Sequence, residues 1–289
     1  MPGRPSRRLV AGTLAAGAIA AGAGGVALWR ALRPEAPPPL VDGIVWQPDN
    51  ATVGIAGSWN DLGAHELLVQ WIVVDGQSFV ADAGLPTVPV VPDWSRIARE
   101  PWARQVILGL AGHFGEREAR ADIAGLAALS LRLAYLPTPL NVTGWYFPVE
   151  VDPTWQEAPR LAELLAPLPR PLWISVYDSA NVGAGTLADW LAGWLPADIG
   201  VFFQDGVGVH ARTPAVAREY ADALAGRLGR ERVRVIVEAF RPHTDGGFRP
   251  AVATEIAPQL EALRGYPLYL FDGPHYVDEG VVRALRDSS

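Results

Sequence analysis

The sequence predicts an α/β protein: a single (β/α)8 TIM barrel behind an N-terminal export segment. Three observations carry that expectation. Eight short apolar runs rich in β-branched residues succeed one another, helical patterns lie between them, and the roughly 250 residues involved are the usual length of such a barrel. The composition agrees, since 49% of the 289 residues are hydrophobic and 19% are charged, enough for a large core and far from a disordered chain.

Residues 1–30 read as a signal peptide or membrane anchor. Arg4, Arg7 and Arg8 precede an uncharged Ala/Gly-rich run from Leu9 to Trp29, the order of a basic and then an apolar export region. Ser6-Arg7-Arg8 resembles a twin-arginine signal, and the glycines keep the run mild. The run is also long enough to span a bilayer, so residues 9–29 are expected either to be cleaved or to remain as an anchor. Both outcomes place the body in the periplasm, free or held to the inner membrane. Residues 31–41, with Pro34 and Pro37-Pro38-Pro39, are a stiff linker, and the barrel is expected over 42–289.

The strand expectations are Gly43–Gln47, Glu66–Val74, Gln105–Ala111, Asn141–Val149, Pro171–Val176, Asp198–Gln204, Arg232–Val237 and Pro267–Phe271. Leu172-Trp173-Ile174-Ser175-Val176 and Val233 to Val237 are nearly continuous apolar runs, as strands buried on both faces of a parallel sheet require. Helices are expected over Arg117–Tyr135, Leu187–Leu195, Pro214–Leu228 and Ala251–Leu263, with Thr186 and Thr213 as N-caps. The first unit offers only Ser58–Gly63 as helix, and Gln77 to Pro92, rich in Pro and Val, reads as a long loop over the barrel mouth.

Composition removes several chemistries. With no cysteine there is no thiolate nucleophile, disulfide or zinc–cysteine site. All 24 basic residues are arginine, so a Schiff base and a P-loop lysine are also excluded. A net charge of -7 argues against nucleic acid as a partner. His113, His210 and His275 show no metal-ligand spacing, and Ser175 and Ser179 lack a Gly-x-Ser-x-Gly setting, so no metal and no cofactor are expected.

Barrel active sites form where the strands end, and here those ends are polar and aromatic. They supply Trp46, Gln70, Trp71, His113 to Glu116, Trp145, Tyr146, Glu150, Tyr177, Gln204, Asp205, Glu238, Arg241 and Asp272 to His275. Glu150 and Glu238 end the fourth and seventh strands, across the mouth from each other. Two carboxyl groups suit glycosidic cleavage, in which an acid protonates the leaving oxygen and a carboxylate attacks or stabilises the anomeric carbon. Arg241 is expected to keep one carboxylate ionised, Trp145 and Tyr146 to desolvate Glu150, and the aromatic rings of the rim to stack on sugar faces. Gln70, Tyr177, Gln204 and Asp205 complete the expected substrate cleft. Plainer roles stand beside these: Glu150 as a helix cap, Glu238 paired with Arg241, and Asp205-Gly206 as a turn.

In its architecture and in Glu150 and Glu238, the chain resembles the clan of retaining (β/α)8 glycoside hydrolases. Through Val69-Gln70-Trp71, Gly144-Trp145-Tyr146 and Glu150 it is similar to an uncharacterised bacterial barrel family, a domain of unknown function linked to exopolysaccharide loci. The resemblance implies an exported retaining glycoside hydrolase acting on a cell-envelope polysaccharide or exopolysaccharide, with Glu150 as acid/base and Glu238 as nucleophile. Many clan members carry Asn before the acid/base, where this chain has Val149. The alternatives are a non-catalytic carbohydrate-binding barrel that serves as a scaffold in exopolysaccharide assembly, and an exported hydrolase of another class using Asp205 or His113.

Overall fold

A computed structural model describes residues 39–288. The export segment and nearly all of the linker lie outside the described residues, among which no helix is long and apolar enough to cross a membrane.

Each of the eight expected runs contains a strand. They are β1 (Gly43–Trp46), β2 (Glu66–Val69), β3 (Gln105–Gly109), β4 (Val142–Val151), β5 (Leu172–Val176), β6 (Ile199–Gln204), β7 (Val233–Glu238) and β8 (Leu268–Phe271). Every neighbouring pair is parallel, and β8 closes on β1 through Gly43 opposite Tyr269 and Ile44 opposite Leu270. The chain is a closed (β/α)8 barrel.

Successive side chains of a strand point to opposite faces, and that alternation builds two cores. Val45, Leu68, Ile107, Tyr146, Trp173, Phe202, Ile236 and Tyr269, one from each strand, pack together inside the barrel. Phe202 is their hub, edge-to-face with Tyr269 at 4.9 Å and with Trp173 at 5.4 Å. Their neighbours of opposite parity, such as Ile44, Leu67, Val106 and Val235, join the larger core beneath the helices. Near the strand starts, Glu66, Arg234 and the Tyr269 hydroxyl bond to one another, and the Arg234 guanidinium lies 4.3 Å from the Trp173 ring centre. This network fills the axis at the end opposite the mouth.

Several local expectations change. The second run stops at Val69, and Val73–Val74 instead pair with Ala111–Gly112 and Gln77–Ser78 in a small separate sheet. The rest of the Gln77 to Pro92 stretch is irregular and packs Phe79 and Val88 on Trp71. The helix expected over Arg117–Tyr135 is two helices, Glu116–Ala121 and Ile123–Leu133, broken at Asp122. Thr213 caps the Pro214–Leu228 helix, its hydroxyl accepting from the Val216 N–H. Thr186 is not a cap, because its helix starts earlier, at Ala184, after Gly183 with φ 103°, a left-handed value that glycine adopts freely. Only the turn Trp59–Leu62 is helical in the first unit.

Candidate active site

A cavity of about 150 Å³ opens on the axis at the carboxyl ends of the strands. Its floor is Val45, Tyr146 and Ile236 of the inner core. Its polar wall is Gln70, Glu116, Glu150, Ser175 and Gln204, and Phe271 completes it, so all eight units contribute. Tyr146 and Ser175 hydrogen bond at its base, and burial pushes the Tyr146 hydroxyl well up.

A bulge in β4 sets the depth of Glu150. Phe147 lies opposite Ile174 of β5, yet Glu150, three residues later, lies opposite Ser175, the very next residue. Regular pairing would have put Pro148 there and Glu150 beside Tyr177. Two extra residues therefore drop Glu150 by roughly 6–7 Å toward the cavity. Pro148, which has no N–H for the ladder, marks the place.

Glu150 is held from three sides. The Gln204 side-chain amide donates to its Oε2 at 2.7 Å. The Arg120 guanidinium donates to its carbonyl at 3.1 Å and lies 3.9 Å from Oε1. Its own N–H donates to Glu116 Oε2 at 3.1 Å. Burial raises the Glu150 carboxyl above its ordinary range, while Gln204 and Arg120 pull it back. Glu116 is pushed up to about 7, first by burial and then by the charge of Glu150. Arg120 lies 3.8 Å from Glu116 as well, so one cation serves two carboxylates.

Glu238 is buried at the end of β7, with 4% of its surface exposed, and its Oε2 accepts from the Val209 N–H at 3.1 Å. Burial and the neighbouring Asp205 push it up to about 8. Asp205 is raised to about 6 by burial, although three donors hold it. These are the N–H groups of Val207 and Glu238 on Oδ1, and the Gln259 side chain at 2.7 Å on Oδ2.

The structure brings Gln70, Tyr146, Glu150 and Gln204 around one cavity. It sets Glu238 and Tyr177 beside it: the half-buried Tyr177 hydroxyl is raised by burial and by the charges of both Glu238 and Glu150. Apart from Trp71, four expected residues do not face the cavity, and alternation explains three of them. Trp46, next to inward Val45, faces outward, donating to Thr52 Oγ1 at 3.1 Å and packing on Trp94 at 5.6 Å. Trp145, next to inward Tyr146, packs on the outer core and does not desolvate Glu150. Asp205, next to inward Gln204, ties β6 to β7 and to the Ala253–Ala262 helix. Arg241 is the fourth: its guanidinium donates to the carbonyls of Glu238, Phe240 and Glu255 and to Gln259 Oε1, and to no carboxylate, while its charge favours the ionised forms of Asp205 and Glu255.

Trp71 belongs to a second cleft, of about 420 Å³, between the ends of β1, β2 and β8. There the His275 ring lies between Asp272, 2.9 Å from Nδ1, and Asp49, 3.1 Å from Nε2, partners that push it up to about 9. Within the strand-three end His113 to Glu116 nothing in the sequence singles out Glu116, and neither Arg120 nor the Asp49–His275–Asp272 chain is among the residues it points to. Spacing gave a hint only for Arg120, four residues after Glu116 on one helix face. Among the described residues no group of three or more side chains is placed to hold a metal ion.

Fold and mouth together define a (β/α)8 barrel with an acid-lined axial pocket. No protein-family profile matches the chain, and no curated protein sequence matches it. Among solved structures it is similar to the crystal structure of a candidate α-L-fucosidase from Bacteroides thetaiotaomicron VPI-5482, over 89% of this chain and 95% of that one, with a TM-score of 0.61 and 14% identity. At that identity the likeness is one of fold.

Proposed function

We propose that the chain hydrolyses a glycosidic bond at the axial cavity with retention of configuration, Glu150 serving as acid/base and Glu238 as nucleophile. The substrate in this reading is a polysaccharide or oligosaccharide of the cell envelope or an exopolysaccharide, met after export. The observation that carries the reading is the Glu150 carboxyl, lowered into the axial cavity by the β4 bulge and gripped there by Gln204. The fold likeness to a candidate fucosidase supports the same reaction class.

The placement of the two groups, more than their charge state, suits the two roles. The Glu150 side chain is 24% exposed, so it can exchange its proton with solvent, and its amide partner holds it in place without fixing its charge. Glu238 is buried and pinned through a backbone N–H, the rigid placement a nucleophile requires. In the first step Glu150 gives its proton to the leaving oxygen as Glu238 attacks the anomeric carbon. In the second, Glu150 takes a proton from the water that releases the sugar. With Glu238 raised to about 8, its ionised form is the minority at pH 7 and grows as pH rises.

Turnover of aryl glycosides by Glu150→Gln and Glu238→Gln, with NMR of the first product, tests this. Glu238→Gln should be inactive on every substrate, whereas Glu150→Gln should keep those whose leaving group needs no proton. An inverted first product, or activity intact in both variants, overturns the mechanism. Saccharide binding by a parent chain that hydrolyses nothing would make it a binding barrel.

A further inference from the structure

The reaction above leaves the second cleft unused, although it is nearly three times the size of the axial cavity and shares a wall with it, Phe271 lining both. Its walls are aromatic. Phe114 is 72% exposed yet held in place, its ring edge-to-face with Trp71 at 6.3 Å and its N–H donating to Asp75. Tyr276 and Phe271 face the same space. Flat rings kept at a wet surface offer stacking faces to sugar C–H groups.

The charges are one-sided. Glu116 and Glu150 line the axial cavity and Asp49, Asp75 and Asp272 the cleft, while among the described residues the only cation lining either space is His275. Arginine is the usual partner of an anionic ligand, and none of the described arginines lines these two spaces. Asp272, with 1% of its surface exposed, takes the Gln47 N–H and the His275 ring on Oδ2, and its Oδ1 has no donor. In the axial cavity Gln70 Oε1 likewise has none. Both orphan atoms are acceptors, which hydroxyl and ammonium groups satisfy and ionised carboxylates or sulfates do not.

We infer that the cleft between β1, β2 and β8 is a second saccharide subsite beside the axial cavity, and that the saccharide it takes carries hydroxyl or ammonium groups and no acidic ones. The inference rests on the glycosidase reading for the position of the cleaved bond, and it concerns binding. Calorimetric titration of the full chain carrying Glu150→Gln, which stops turnover, with matched neutral, amino and uronic hexasaccharides built on gluco, galacto and manno rings tests it. Neutral or amino members should bind at least about tenfold tighter than the uronic member in any series that binds. Adding Phe114→Ala or Asp272→Asn should weaken that binding by about fivefold or more. Uronic members binding as well as the others, no series binding, or both added substitutions leaving affinity unchanged would overturn it. Hydrolysis of a uronic chain by the parent protein would sink this inference and uphold the glycosidase reading. Non-acidic binding that depends on Phe114, without hydrolysis, would do the reverse.

Discussion

Arg241→Leu separates a structural cation from a substrate-binding one. The guanidinium is 5% exposed and donates to the carbonyls of Glu238 at 3.2 Å, Phe240 at 2.6 Å and Glu255 at 2.6 Å, and to Gln259 Oε1 at 2.6 Å. Leucine takes the guanidinium from all four acceptors in a largely buried space, where the Glu238 carbonyl keeps a bond from the Gln259 side-chain amide at 3.2 Å. A bond from a charged donor nets roughly 1.5–3 kcal/mol and a buried acceptor left without its donor costs roughly 1–3 kcal/mol, and because the losses overlap the total is about 3–5 kcal/mol. For a chain of this size 1 kcal/mol moves the melting temperature by about 2–4 °C, so Arg241→Leu should melt roughly 10 °C lower. Calorimetry measures that directly, and turnover at 20 °C, corrected for the folded fraction, should show KM unchanged. A melting point within about 2 °C of the parent, together with a raised KM, would refute the assignment and return Arg241 to the substrate.

Three further outcomes follow from the geometry. Gly109→Ala would place a Cβ 2.1 Å from the Gln70 carbonyl oxygen and 2.3 Å from that of Val69, so it should lower stability by at least about 1–3 kcal/mol in urea titration and weaken saccharide binding with it, since Gln70 lines the cavity. His275, raised to about 9 by Asp272 and Asp49, contributes stability that is complete below its unfolded value near 6.5 and is lost as pH climbs to 9. The melting temperature should therefore decline across that window, and His275→Gln should flatten the decline. Glu116→Gln removes a like charge beside Glu150, which should then ionise more easily. The limb of the kcat/KM profile that Glu150 sets should move to lower pH, and a shift of that limb to higher pH would contradict the pairing.

The eight strands were legible because a parallel barrel buries both faces of each strand and leaves continuous apolar runs, as in Leu172–Val176. Which end-of-strand residues face the axis was legible only in part. A strand end names two adjacent residues, and alternation sends one of them away, as with Trp145 beside Tyr146 and Asp205 beside Gln204. Counting inward from a fixed interior residue would have separated them, but the β4 bulge changes the depth of everything after Phe147, and Pro148 alone announces it. Contacts between distant segments left no trace at all: Asp49 and His275 meet from 226 residues apart, and Glu116 reaches the N–H of Glu150 across a strand gap. The break at Asp122 had no glycine or proline to announce it.

The Glu66–Arg234–Tyr269 network and the aromatic ring above it make the barrel a cup, not a tube. A polymer cannot be threaded along such an axis. On the glycosidase proposal a saccharide enters and leaves such a cup by the same mouth, so product must depart before the next chain settles.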